Sequence, residues 1–225
     1  MSSRVTEEVS QIIITARAPR GTLFVVSSPS GGGKGTIIRT VLPVVPNLSY
    51  SVSYTTRAPR NGELEGREYF FVSRNTFQEM VTAGEFLEWA NVHGNLYGTA
   101  KQQVLEETAN GVDIILEVDV QGAASVRKLL VDSISVFILP PSYEVLRERL
   151  IARRTDSPEE LEVRLRNAPR ELSQFTEFDY VIVNDQIDRA ATQLASIIYA
   201  ERARCVRQEP LVNAVIEQFK QTDIT

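Results

Sequence analysis

The stretch Leu23-Phe24-Val25-Val26-Ser27-Ser28-Pro29-Ser30-Gly31-Gly32-Gly33-Lys34-Gly35-Thr36-Ile37-Ile38-Arg39-Thr40-Val41-Leu42 decides the fold. Its apolar start reads as a buried strand, and Ile37 to Leu42 reads as a helix. Strand, Gly-rich turn, Lys and helix is the layout of a phosphate-binding loop, or P-loop. Glycines let successive backbone N–H groups curl around an anion, and the helix N-terminus adds a positive dipole end. Lys34 supplies a point charge for the outer phosphates. The usual pattern is G-x-x-x-x-G-K-[ST], and the chain departs from it twice: Ser28 stands at the first Gly, and Gly35 at the Ser/Thr. The other reading is an ordinary Gly-rich strand-to-helix turn. A dinucleotide G-x-G-x-x-G does not fit, because no Gly falls at its last position.

Outward from this loop the chain alternates. Strand-like apolar runs stand at Leu23–Ser27, Ile114–Val118, Ser135–Leu139 and Tyr180–Val183. Three are continuous rather than alternating, as buried parallel strands are. Helical stretches lie between them, at Thr36–Leu42, Gly122–Leu130, Tyr143–Arg153, Leu161–Ser173 and Arg189–Arg202. This rhythm predicts an α/β fold, a parallel sheet with crossover helices. Residues from about 48 to 100 break it with short strand-like pieces, Ser49–Thr55 and Arg67–Val72, and Gly- and Pro-rich turns. They read as a small β-rich insertion. Arg154 to Glu160 is polar, with Pro158 at a helix start, and reads as an exposed flap within a lid of about 151–165. Val206 to Thr225 carries Leu211, Val212, Val215, Ile216 and Phe219 at helical spacing. It reads as an amphipathic helix whose apolar stripe covers the core domain or a second copy of the chain. Residues 1–20 read as a tail, with disorder the default for such a segment.

Composition narrows the function. The chain of 225 residues is enough for one large domain or two small ones, and 43% hydrophobic residues permit a core. A net charge of −5 argues against nucleic acid as a partner. One cysteine, Cys205, forbids an internal disulfide and fits a reducing, cytoplasmic compartment. No apolar run reaches 18 residues, so no membrane span is expected, and Met1 to Pro19 does not read as a secretory signal. A single histidine, His93, leaves no His/Cys metal cluster and offers nothing to support a Ser-His-Asp triad. Lysine occurs only at 34, 101, 128 and 220, so Lys34 sits in the loop against the habit of an Arg-rich chain.

Further groups suit anions and their counter-ions. In Ser51-Val52-Ser53-Tyr54-Thr55-Thr56-Arg57-Ala58-Pro59-Arg60, two arginines three apart present planar forks that match a phosphate. Tyr69 and Tyr97 add hydroxyls; a solvated basic loop is the plain alternative. Glu88, in Phe86-Leu87-Glu88-Trp89, reads in isolation as a surface charge. Glu117 and Asp119 alternate at the C-terminal end of an apolar strand, the edge where open α/β sheets bind ligands, and carboxylates there serve Mg²⁺, a base or a sugar. Arg147, Arg149, Arg153, Arg154 and Arg164 bracket the flap, a natural carrier of cations over a transferring phosphoryl group.

Together these residues resemble the guanylate kinase family, bacterial type, from about Gly21 to Arg204. The resemblance rests on the P-loop, the S-x-T-T-R-x-P-R-x-G-E-x-x-G-x-x-Y block ending at Tyr69, Glu88-Trp89, the G-x-x-Y-G-T run through Tyr97 and Thr99, Asp119-Val120-Gln121-Gly122, and Val181–Asp185. It implies transfer of the γ-phosphate of ATP to GMP or dGMP, on a P-loop NTPase-type sheet with a GMP-binding insertion and a short lid. By the same resemblance Arg57, Arg60, Tyr69 and Tyr97 hold the GMP phosphate. Ser53, Glu88 and Thr99 read the guanine. Glu117 and Asp119 face the GMP and the metal, although many members carry Asp where this chain has Glu117. Ser28, Pro29, Ser30, Gly31, Gly32, Gly33, Lys34, Gly35 and Thr36 cradle the ATP phosphates, and Asn184 and Asp185 lie at the adenine end. Lys34, Arg153 and Arg164 are the catalytic cations. Mg²⁺ arrives with ATP; with no hydroxyl at Gly35, either Thr36 reaches a phosphate or a metal-bound water, or, as favoured, ATP oxygens and waters hold the ion with Asp119 or Glu117 behind them. Lys-Gly-Thr at the loop's end is similar to adenylate kinases, so another nucleoside monophosphate kinase is one alternative. A guanylate-kinase-like binding module without activity is the other.

Overall fold

The computed structural model describes residues 20–60, 62–92, 94–152 and 157–221. Residues 1–19 of the anticipated tail, His93, Arg153, Arg154 and the last four residues lie outside them.

Five strands form one parallel sheet in the order β2-β7-β1-β8-β9: β1 (Leu23–Ser27), β2 (Leu48–Ser51), β7 (Asp113–Glu117), β8 (Ile134–Leu139) and β9 (Tyr180–Val183). β1 is central and buried throughout. Its side chains alternate between two cores. Phe24 and Val26 join Ile115, Val136, Ile138 and Ile182 on one face, under α1 (Lys34–Val41) and α7 (Ile187–Arg202). Leu23 and Val25 join Ile114 and Leu116 on the other, under α3 (Lys101–Ala109) and α4 (Val120–Leu129). Burying each such side chain stabilises by roughly 1.5–3 kcal/mol. Two covered faces explain why these runs are continuously apolar. α5 (Tyr143–Ala152) and α6 (Pro158–Leu172) pack on each other through Leu146, Leu150 and Ala168. α6 starts at Pro158 behind a reciprocal cap between Ser157 and Glu160, so the second half of the expected flap is already the first turn of a helix.

The insertion is a second sheet, ordered β4-β3-β6-β5: β3 (Tyr54–Thr55), β4 (Phe70–Phe71), β5 (Phe86–Val92) and β6 (Asn95–Ala100). β5 and β6 form an antiparallel hairpin. α2 (Arg74–Thr82) closes it, and Phe77 stacks on Phe86 at 4.5 Å. A Cβ on Gly98 would meet Phe86 at 2.9 Å and Phe77 at 3.0 Å, so the aromatic pair requires glycine there.

Several boundaries correct the sequence reading. Leu48–Ser51 is not part of the insertion; it is the edge strand of the parallel sheet, paired with β7. Its half-buried Leu48 and Tyr50 pack on the α1 side, and edge exposure masks the apolar signal of a core strand. The insertion therefore begins after Ser51. Ser49–Thr55 splits into two strands of different sheets, and Arg67–Val72 yields only Phe70–Phe71. α2 and α3 were not anticipated. α4 begins at Val120 rather than Gly122, because Asp119 caps it by accepting from the Gly122 N–H at 2.8 Å. The C-terminal segment is helical, α8 (Cys205–Gln221), and Val212, Ile216 and Phe219 of its apolar stripe are exposed rather than laid on the core. No helix among the described residues is long and apolar enough to cross a membrane.

Candidate active site

The Gly-rich loop follows β1 at the C-terminal edge of the sheet. Gly31 and Gly33 adopt φ of 89° and 93°, the left-handed region that favours glycine. A Cβ on Gly33 would stand 2.3 Å from Asn184 Nδ2. Ser28 explains its own departure from the usual pattern. Its side chain turns inward over Gly32, where a Cβ would lie 2.7 Å from Ser28 Cβ, and its hydroxyl donates to the Pro29 carbonyl at 2.9 Å.

Outside groups fix this loop. Asn184 is fully buried, and its amide donates to the Gly32 carbonyl at 2.9 Å. Arg149, from α5, donates to the Asn184 carbonyl at 2.9 Å and to the Gly32 carbonyl at 3.5 Å. Arg164, on α6, donates to the Ser30 hydroxyl, and Glu171 Oε2 accepts from the Ser30 N–H at 3.3 Å. Asn184 thus sits beneath the loop. Asp185 pairs with Arg189 on α7.

A cavity of about 220 Å³ joins the loop to the insertion. Ser30, Lys34 and Gly35 line it from the loop, Glu117 and Asp119 from the sheet edge, and Ser53, Arg60, Tyr69, Glu88 and Tyr97 from the insertion, with Arg164 at its border. Residues up to 143 positions apart in sequence, Ser28 and Glu171, thereby meet around one space. Thr36 is exposed on α1, and Pro29 is buried behind the loop.

On the insertion wall, Glu88 is no surface charge. It is only 7% exposed, and the Thr99 hydroxyl donates to Glu88 Oε1 at 2.7 Å. Burial, aided by the negative Asp119, pushes Glu88 up to about 7 against the pull of the Thr99 bond. Arg57 turns into the insertion: its Nη2 reaches both oxygens of Glu63 at 2.9 Å, and its guanidinium lies 5.4 Å from the centre of the Tyr69 ring. The Arg60 N–H donates to Glu63 Oε2 at 2.7 Å. Burial, together with the charge of Glu117, holds the Tyr69 hydroxyl above its ordinary range, so it stays a donor. Glu117 lies on the loop side, with Oε1 3.9 Å from Lys34 Nζ.

Sequence reasoning passed over Glu63, Glu171 and the role of Arg149. Glu63 stood inside the quoted R-x-G-E block, the one signal that could have found it. Glu171 and Arg149 carried no local signal, since their partners are 141 and 117 positions away.

A family model described as guanylate kinase matches residues 20–201. The chain belongs to the guanylate kinase family. A guanylate kinase of Symbiobacterium thermophilum is 48% identical over 206 residues, covering 91% of this chain and 98% of that protein. One from Geobacter sulfurreducens is 47% identical, covering 88% and 97%. The crystal structure of guanylate kinase from Anaplasma phagocytophilum superposes with a TM-score of 0.76 at 35% identity, covering 91% of this chain and 98% of that one.

Proposed function

We propose that this guanylate kinase family member transfers the γ-phosphate of ATP to GMP, or dGMP, giving ADP and GDP. One observation carries the reading: a single cavity is walled on one side by the Gly-rich loop with Lys34 and on the other by buried Glu88 among Ser53, Arg60, Tyr69 and Tyr97. The first wall suits a polyphosphate, and the second suits a nucleotide whose base donates to a carboxylate.

The GMP phosphate is an anionic nucleophile, so no strong general base is needed, and catalysis is positioning plus charge neutralisation. In this reading Ser28 to Thr36 cradle the ATP phosphates through backbone N–H groups and Lys34. Arg60, Tyr69 and Tyr97 hold the GMP phosphate, with Arg57 held beside them by Glu63. Glu88, kept in place by Thr99, accepts from the guanine N1–H and exocyclic amine, with Ser53 beside it. Arg164 stands over the loop from α6, and Arg153 would join it from the lid. Asn184 and Arg149 keep the loop in shape.

The donor set fits a divalent cation. Glu117 and Asp119 are hard oxygen donors at the cavity wall, of the kind that hold Mg²⁺ directly or through its waters. Held there with ATP, such an ion would supply neutralisation of the phosphate charge. Closure of insertion and lid would exclude water and suppress ATP hydrolysis.

The test is a coupled assay of ADP formation with GMP, AMP, CMP and UMP. GMP should be preferred over AMP by roughly 10⁴-fold or more in kcat/KM, because AMP meets the Glu88 carboxylate with an acceptor at N1. Comparable values for AMP and GMP would overturn the reading.

A further inference from the structure

Tyr50 has no role in the mechanism above. It stands on the edge strand β2, one residue before its C-terminal end. Its ring packs against the core under α1, and its hydroxyl lies 3.4 Å from Glu117 Oε2. The other oxygen of that carboxylate faces Lys34 Nζ. In the register of β2 and β7 the neighbour of Tyr50 is Ile115, so the side chain reaches two residues forward to the acid.

Gly35 completes the arrangement. A Cβ placed there would lie 3.4 Å from Glu117 Oε2 and 3.3 Å from Arg39 Nη1. The oxygen that Tyr50 holds therefore stands beside the position whose hydroxyl, in most P-loops, ligates the cation. A missing side chain at 35, a long acid at 117 and a hydroxyl at 50 are complementary. The Tyr50 hydroxyl donates to this carboxylate, which can only accept. Beside Lys34, Tyr50 is thus a second partner of the Glu117 carboxylate.

We propose that Tyr50 is a positioning residue of the ATP half-site: it holds Glu117 Oε2 beside Gly35, so that this carboxylate substitutes for the absent hydroxyl of residue 35 toward the divalent cation that accompanies the nucleotide. The proposal rests on the phosphoryl-transfer reading.

The experiment measures Mn²⁺ binding to the full-length protein in the presence of ADP, from the electron paramagnetic resonance signal of free Mn²⁺, without turnover. Tyr50→Phe should weaken Mn²⁺ by about 3–10-fold and Glu117→Gln by about 10-fold or more. The double variant should be no weaker than Glu117→Gln alone, because Tyr50 acts only through Glu117. In steady state Tyr50→Phe should raise KM for Mg-ATP and leave KM for GMP unchanged, a split that a merely structural hydroxyl would not produce. Should Glu117→Gln fail to fold by circular dichroism, Glu117→Asp, which shortens the acid, serves in its place, and Tyr50→Phe should have no further effect on it. Unchanged Mn²⁺ affinity in Tyr50→Phe, or additive losses in the double variant, would overturn the role of Tyr50 while wild-type GMP phosphorylation stands. A wild-type protein that neither binds Mn²⁺ with ADP nor phosphorylates GMP would overturn the underlying reading as well.

Discussion

Glu63 grips Arg57 with both carboxylate oxygens, each 2.9 Å from the same guanidinium nitrogen, while the neighbouring Arg60 N–H donates to one of them. One acid thus fixes the fork of one arginine and the backbone of the other. Both belong to the wall proposed to receive the GMP phosphate.

Glu63→Ala should therefore raise KM for GMP by about tenfold, with kcat changed much less. Losing an ordered charge-assisted pair is worth about 1.5–3 kcal/mol, partly recovered because the freed guanidinium can still turn to the phosphate. Initial-rate kinetics with GMP varied at saturating ATP check this; an unchanged KM would show that Arg57 needs no support.

The pH dependence of GMP binding should report Glu88. It must be ionised to accept from guanine, and its pKa in the free protein is about 7. Below that value GMP affinity should fall, approaching tenfold per pH unit. The phosphate of GMP also titrates in this range, so guanosine binding by calorimetry from pH 5.5 to 8, with Glu88→Gln as the flat control, isolates the carboxylate.

The same shift makes a stability claim. A carboxylate raised from an unfolded value of about 4.3 costs stability once it ionises, and the cost grows as pH rises from there to about 7. Glu88→Gln, which keeps an acceptor for Thr99, should stabilise the ligand-free protein at pH 8 by roughly 1–3 kcal/mol and change it little at pH 4. Urea unfolding at the two pH values measures the difference.

Two glycines of the loop should respond oppositely to substitution. Gly33→Ala forces a side chain into the left-handed region and to within 2.3 Å of Asn184 Nδ2, so loop and activity should fail together, by at least about 100-fold in kcat/KM. Gly35→Ser meets only Arg39 and Glu117, at 3.3 and 3.4 Å, and should fold normally with less than about tenfold change in Mg²⁺ requirement. Thermal melts and Mg²⁺ titrations of the two variants separate these cases.

Lys34→Ala should lower kcat by at least about tenfold with little loss of stability. The Lys34 side chain is 17% exposed, and its ion pair with Glu117, at 3.9 Å, is loose. Retention of more than about a tenth of wild-type kcat would remove Lys34 from the catalytic role.

The sequence by itself determined four strands of the parallel sheet, most of its crossover helices and the phosphate loop. Each of these is a local pattern: a continuous apolar run between turns, or glycines spaced so that backbone N–H groups can face an anion. It determined the family too, because motifs such as the two spaced arginines and the run from Gly94 to Thr99 are short and contiguous. Tertiary structure decided what those patterns could not encode. Leu48–Ser51 joined the core sheet because only pairing with β7 shows that a half-polar edge segment belongs there. Glu88 became a buried acid with a shifted pKa because Thr99 and Asp119 come from other elements. Asn184 and Arg149 became supports of the loop through hydrogen bonds spanning more than 100 residues. The placement of Glu117 between Lys34 and Tyr50 arises the same way, from the ends of β2 and β7 and the start of α1 meeting at one edge. Burial, pKa and hydrogen-bond partnership are properties of what surrounds a residue in space, and only folding supplies those neighbours.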